Sequence, residues 1–352
     1  MEYHFFSDKL FAGPTSLDVL RIWDSGGYTL RKKPRLTIPN MRFPESGNLM
    51  NYEVASSSDT HAISEFWNTY YTGPDWLFSC QKTDVERWIK SGFILIIKQF
   101  DSIIGTFACH LLPGLYSGNY NNQAALLDGL VIHPKFRKCG VASFLLACMD
   151  YHIYNINKME KAILIWLREH DTRINAYLQT PISVLEYMYA KIHELPNRPV
   201  KALKVNDIEV EKIVKSVFIS EKRDFTLALD YIKDPDIHWF LYKRSLVGIA
   251  NTHRISKIDK IAILEVVFAC NLEKPYFYDL QIPIEQSAKE IVKHTPFEKA
   301  IIFMSNSKSR GNCTNPCNPW IKGKSGFLTT HVYNWMPPTF LTGDIFLPIS
   351  CI

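Results

Sequence analysis

Residues 126–149, LLDGLVIHPKFRKCGVASFLLACM, decide how this sequence is read. Leu126–Ile132 is an apolar run of strand length. Arg137, Lys138, Cys139 and Gly140 form a short basic turn, and Val141–Met149 is apolar again and long enough for a helix. The first N–H groups of a helix have no partner inside it, and the helix dipole adds positive character at the same end. With Arg137 and Lys138 beside them they make a place for an anion, a phosphate above all. Gly140 lets the backbone approach closely, and Ala142 keeps the first helical turn thin. Ordinary strand–helix turns often carry such letters by chance, so the rest of the chain has to decide.

Working outward, 352 residues suit two domains or one fused double domain. The chain is 47% hydrophobic and 21% charged, ordinary for a globular protein, and its net charge is +5. That surplus is mild, no nucleic-acid motif is present, and no nucleic-acid partner is expected. The basic run Arg31-Lys32-Lys33-Pro34-Arg35 reads as a solvated segment, allowing at most peripheral contact with a membrane or a ribosome. No apolar stretch reaches the roughly 18 residues needed to span a bilayer. The eight cysteines are scattered among apolar residues, which suits a reducing, cytoplasmic setting. Cys313 and Cys317 lack two further ligands at zinc spacing, so no metal is expected.

The elements come twice in one order. Residues 60–71 and 83–92 read as helices, the second capped by Thr83 with Glu86 three residues on. Residues 93–112 read as a hairpin turning near Gln99–Ser102; the opening stretch adds strand, turn and helix, and 161–167 another strand. Helices at 205–218 and 226–234, a hairpin at 237–255, a strand at 259–272, a helix at 287–294 and a strand at 297–305 repeat the series. Leu246-Val247-Gly248 echoes Ile103-Ile104-Gly105. A duplication follows. Only the first half has the basic glycine turn, so only that half is expected to hold the anion.

Arg137-Lys138-Cys139-Gly140-Val141-Ala142 matches the R/Q-x-x-G-x-G/A pattern of GNAT acyltransferases, whose turn holds the pyrophosphate of coenzyme A. A doubled GNAT fold is the architecture of the N-myristoyltransferases, and the chain resembles that family at three places in the family's order. Asp128–Ala142 is similar to its strand and coenzyme A turn. Ile22-Trp23-Asp24-Ser25 is similar to its F-W-D-T, which lies against the acyl-CoA. Gly326–Trp335 is similar to its G-N-L-x-Y-Y-L-Y-N-W strand. The resemblance implies an α+β fold of two tandem GNAT-like halves forming one saddle-shaped mixed-sheet unit. Residues 1–50 would be an arm over the acyl-CoA site, 51–198 the acyl-CoA half, and 199–352 the peptide half with its C-terminus threaded back into the core.

The implied activity is transfer of a myristoyl group from myristoyl-CoA to the N-terminal glycine amine of a protein, by a monomeric cytoplasmic enzyme. Arg21, Ile22, Trp23, Gly129, Leu130, Val131, Ile132 and the turn Arg137–Ala142 would hold the acyl-CoA. The resemblance gives the N–H groups of Gly129 and Leu130, after a bulge in the central strand, to the thioester oxyanion. It gives the role of base to the C-terminal carboxylate, here that of Ile352. Gly326, Tyr333 and Asn334 would face the peptide. Asp128, an acid in an apolar strand, should meet a polar partner in the peptide groove. His133 reads as a structural hydrogen-bonder. Glycine replaces the family's phenylalanine at 129 and gives the backbone more freedom there. The family's G-D-G is Lys324-Ser325-Gly326 here, and its acidic loop is Tyr71-Thr72-Gly73-Pro74-Asp75-Trp76, so a preference for lysine in the substrate is expected to be lost. A GNAT acetyltransferase acting on a small amine or a protein, and an inactive acyl-CoA-binding relative, are the alternatives.

Overall fold

The computed structural model describes residues 28–29, 37–38, 40–44, 46–73, 76–117, 120–159, 162–169, 180–219, 226–228, 232–273, 280–306, 320–322, 328–333, 335–336 and 345–346. The first half runs α1 (Thr60–Tyr70), α2 (Lys82–Ser91), β1 (Gly92–Gln99), β2 (Ser102–Ser117), β3 (Tyr120–Ile132), α3 (Val141–Tyr151), β4 (Ile163–Glu169) and β5 (Thr180–Lys191). The second half runs α4 (Asp207–Val214), β6 (Ile237–Tyr242), β7 (Ser245–Ser256), β8 (Ala262–Asn271), α5 (Gln281–His294), β9 (Ala300–Asn306) and β10 (Leu328–Tyr333). The fold is α+β, as the sequence suggests. A helix is expected over 226–234, but Thr226–Ala228 is a short strand against Leu115–Ser117. The cap of α2 also lies two residues earlier than expected, because Gln81 and Asp84 bond each other's backbone N–H groups reciprocally.

These ten strands lie in one sheet in the order β1-β2-β3-β4-β10-β5-β9-β8-β7-β6. Exchanging the halves leaves that order unchanged, read from the other end. Within each half one pair is parallel, β3 with β4 and β8 with β9. The last strands are exchanged: β10 bonds β4 and β5, and β5 bonds β9. The duplication extends across the hairpins, the first differing by a bulge at Ile104. Ser102 and Ser245 both follow the turn, and Gly105 and Gly248 stand three residues on, facing Ile97 and Trp239.

Local sequence explains the layers. Phe93–Ile97 of β1 is buried throughout because both faces are covered. Phe93, Leu95 and Ile97 pack with α3, while Ile94 and Ile96 pack with α1 and α2. The hairpin turns at Phe100 and Asp101, both at positive φ (48° and 63°), as a two-residue turn between twisted strands requires. Helix α3 is apolar nearly all round and buries Val141 and Ser143–Asp150. It lies close on the sheet over Gly105, where a Cβ would come 3.0 Å from Val141 and 3.1 Å from Leu145. Phe43 and Met50 join the same core from the chain ahead of α1.

Candidate acyl-CoA site

Strand β3 pairs with β4 from Ala124 to Leu127 (opposite Ile163 to Trp166), and there the pairing ends. Beyond it β3 stays bonded to β2, with Thr106 opposite Val131 and Gly105 opposite Ile132, while β4 continues along β10. The two parallel strands therefore part, and between Asp128 and Ile132 one edge of β3 has no strand partner among the described residues, which opens a cleft there in the sheet. A bulge sits at its apex. Thr106 pairs with Val131 and Ala108 with Asp128, so Gly129 and Leu130 both stand opposite Phe107.

Gly129 has φ +61°, and a Cβ there would lie 3.2 Å from Trp67 and 3.3 Å from Ala108. Its carbonyl accepts from Thr106 Oγ1 at 3.0 Å, and that hydroxyl accepts from Trp67 Nε1 at 2.7 Å. Thr106 and Trp67 are fully buried. Glycine at this position is thus clamped, contrary to the freedom expected of it. A second correction concerns the N–H groups. That of Gly129, expected to face the thioester, donates to Asp128 Oδ1 at 2.7 Å. In the left-handed backbone of Gly129 the N–H faces the preceding side chain, which leaves Leu130 as the expected donor.

Asp128 finds the polar partner expected of it. Tyr71, at the end of α1, donates its hydroxyl to Oδ1 at 2.9 Å. Burial, and after it the Asp128 charge, push the Tyr71 phenol far above its ordinary pKa, so it remains a donor. Arg254 of β7 approaches from the second half, its guanidinium over the Trp76 ring at 4.5 Å. Burial works against the Arg254 charge, but Tyr71, Glu265 and Asp128 outweigh it and raise its pKa. The loop compared with the family's acidic loop therefore supplies Tyr71 and Trp76 beneath the bulge. Sequence reading missed Trp67, Thr106 and Arg254. Only the four-residue spacing of Trp67 and Tyr71, one face of a helix, hinted at them.

At the far end of the cleft, His133 Nδ1 accepts from the Lys135 N–H at 3.2 Å and starts a short 3-10 turn, a structural role as expected. Its ring stands 4.7 Å from that of Tyr70. Lys138 and Gly140 have φ +66° and +82°, and Gly140 is the N-cap of α3. Among the described residues no side chain caps the helix, which leaves its first N–H groups for an outside acceptor. The Arg137 and Lys138 side chains stay exposed, with Arg137 Nε on the Ile132 carbonyl at 3.3 Å. Met41 lies over the turn, its methyl 2.6 Å from where a Gly140 Cβ would be. Val131 and Val141 are buried; Ile132, Cys139 and Ala142 are half-buried around the turn.

The β3–β4 cleft, the glycine bulge and the open helix start thus lie along one strand. Solved structures of Saccharomyces cerevisiae N-myristoyltransferase align with nearly the whole chain. One, with bound myristoyl-CoA, superposes with a TM-score of 0.60 at 9% identity over 90% of this chain and 87% of that one. Another, with myristoyl-CoA and inhibitors, gives 0.59 at 12% identity over 92% and 90%. The chain has the N-myristoyltransferase fold. No protein-family model matches the sequence, and neither does any curated protein.

Against that fold the remaining expectations can be placed. Arg21, Ile22, Trp23, Gly326, Asn334 and Ile352 lie outside the described residues, as do Cys313 and Cys317. Tyr333 ends β10, its backbone opposite Leu164 of β4. Among the described residues no group of His, Cys, Asp or Glu could hold a metal ion, and no helix is long and apolar enough to cross a membrane.

Proposed function

We propose that the protein is an acyl-CoA-dependent N-acyltransferase that moves a long acyl chain, myristoyl in the first place, onto the N-terminal glycine amine of a protein. The observation carrying this reading is the cleft: an open strand edge with a clamped glycine bulge, leading to an uncapped helix start at Gly140. The N–H groups at that helix start, with Arg137 and Lys138, hold the pyrophosphate. The thioester carbonyl lies at the bulge with its oxygen toward the Leu130 N–H. The amine nitrogen attacks the carbonyl carbon, the carbon–sulfur bond breaks, and the thiolate leaves to take up a proton. An N-terminal amine, with a pKa of about 8, must first lose its own proton. Asp128 is the carboxylate that the described site places beside the bulge, and we assign it to holding that amine. The resemblance gives the base to the terminal carboxylate of Ile352.

A chain-length series tests the reading. Each buried methylene contributes about 0.8 kcal/mol, so myristoyl-CoA should bind several kcal/mol more tightly than acetyl-CoA. Mass spectrometry of Gly-starting peptides incubated with each thioester should show the long chain transferred. Equal affinities with acetyl transfer would replace this reading with an acetyltransferase.

A further inference from the structure

On the second half, away from the bulge, a cavity of about 330 Å³ lies between residues 192–201 and the last turns of α5. Arg198 and Lys201 stand on one wall, Lys289 and Lys293 on the other, with Lys299 just beyond α5. Glu290 and Glu298 line it and the buried Glu285 lies 3.6 Å from Arg198, so five cations face three anions, a surplus of two. Glu290 is already bonded to Lys293 at 2.7 Å. A lysine in the last helical turn offsets the helix dipole, which accounts for Lys293 without a ligand. Arg198 lies 3.6 Å from the buried Glu285, but neither that pair nor the dipole accounts for Lys201, Lys289 and Lys299.

Gln286 lines the same cavity, is 3% exposed, and its side-chain nitrogen has no acceptor among the described residues. A buried donor left unpaired is costly, and an anionic oxygen in the cavity would supply its partner. Burial lowers the pKa of Lys289, with Glu285 pulling it up and Lys293 pushing it down.

We propose that this cavity binds a small organic polyphosphate, gripped from both walls at once. A chain of phosphates offers oxygens to Arg198 and Lys201 on one side and to Lys289 and Lys293 on the other. The cavity is of small-molecule size. It is no second copy of the coenzyme A turn, because it lies at the C-terminal end of α5 and that turn opens the N-terminal end of α3. The inference does not depend on acyl transfer.

The test is calorimetric titration of the full chain with tripolyphosphate at constant ionic strength. The anion can also occupy the turn, so two variants are compared: Arg198→Gln with Lys289→Gln, and Arg137→Gln with Lys138→Gln. The first should lose one binding event at least tenfold in affinity, and the second should keep that event. Lys201→Gln, at an exposed position, should give a smaller loss in the same direction if the first pair impairs folding. Unchanged binding by the wall variants, or loss of all binding in the turn variant, overturns the proposal. Sedimentation with phosphoinositide vesicles tells a lipid headgroup from a soluble ligand.

Discussion

The two halves part their strands in the same way and use the parting differently. In the first, β3 leaves β4 after Leu127; in the second, β8 leaves β9 after Glu265, again after four paired residues. Each departing strand then bulges against its hairpin partner, β3 at Gly129 and Leu130, β8 at Val267. In the first half the bulge is glycine in the left-handed region, ringed by Thr106, Asp128 and Tyr71. In the second, Val267 and Phe268 are buried in a core with Trp239 and Leu246. The parting of the strands is therefore a property of the architecture, and the candidate chemistry belongs to residues that only one copy carries.

The repeat extends to a histidine. SIIGTFACH (102–110) and SLVGIANTH (245–253) are in step in sequence. His110 is fully buried, its Nδ1 2.8 Å from Ser91 Oγ, and burial pushes its pKa down to about 4. Its counterpart His253 lies 3.0 Å from Asp236 and 3.6 Å from Asp84, at a bulge where its own φ is 51°. Arg87 reaches the same two carboxylates, so this cluster fastens α2 of the first half to β6 and β7 of the second.

The sharpest break should come from the turn. Gly140→Glu puts a carboxylate among N–H groups awaiting phosphate and should abolish coenzyme A binding in a direct titration, a loss of a hundredfold or more, of order 3 kcal/mol. Gly140→Ala meets the same positive φ and only the movable end of Met41, so it should lower stability by roughly 1 kcal/mol and keep most of the binding. Equal loss in both would move the anion elsewhere.

Next in size is the bulge. Gly129→Val forces a branched side chain into the left-handed region and against Trp67, and should destabilise by about 3 kcal/mol in denaturant unfolding while turnover disappears. Val267→Ala, its opposite number, should cost about 1–3 kcal/mol through a cavity and leave acyl-CoA affinity unchanged. An activity loss shared by both would erase the distinction between the halves.

His110 and Asp236 part by pH. With His110 at about 4 in the fold against 6.5 for an ordinary histidine, the unfolded chain takes up the proton first. Stability should then fall as pH drops from 6.5 to 4, by on the order of 3 kcal/mol, and His110→Gln should flatten that slope. Burial opposes the Asp236 charge, but His253 and Arg87 outweigh it and hold the carboxyl below its ordinary pKa of 3.8. Its contribution is present above that value and is lost as pH falls further, so Asp236→Asn should alter only the acid end of the curve. Melting temperature measured across pH in both variants separates the two effects.

The smallest effects lie around the bulge. Asp128→Asn keeps shape and removes charge, so the peptide KM should rise about tenfold with acyl-CoA affinity intact, the size of one charged hydrogen bond. Thr106→Val frees the Gly129 carbonyl and should cost about 1–3 kcal/mol, with turnover falling more than acyl-CoA affinity. If kcat is unmoved while stability falls, the clamp is structural only.

Local features of the sequence told most of this. The apolar strand, basic glycine turn and apolar helix of 126–149 are where the letters place them, as are both hairpins. Residues 226–228 defeated the reading because a short amphipathic run fits a helix as well as an edge strand, and pairing with Leu115–Ser117 is not written locally. Trp67, Thr106 and Arg254 meet the bulge from three distant segments, and no spacing announces such a meeting. The histidine repeat, by contrast, is written in the sequence eight residues beyond each serine.

The exchange of β5 and β10 also governs how the molecule can assemble. The edge of β4 is closed by Leu328–Tyr333, whose first residue lies 159 positions beyond Glu169 (328 minus 169). Such sequence-distant closure makes for high contact order and slow folding. A growing chain that has finished β4 still carries a bare strand edge, a template for aggregation, until the second half emerges. Cut between the halves, neither piece should be soluble alone, and the two made together should find each other through β5 and β10.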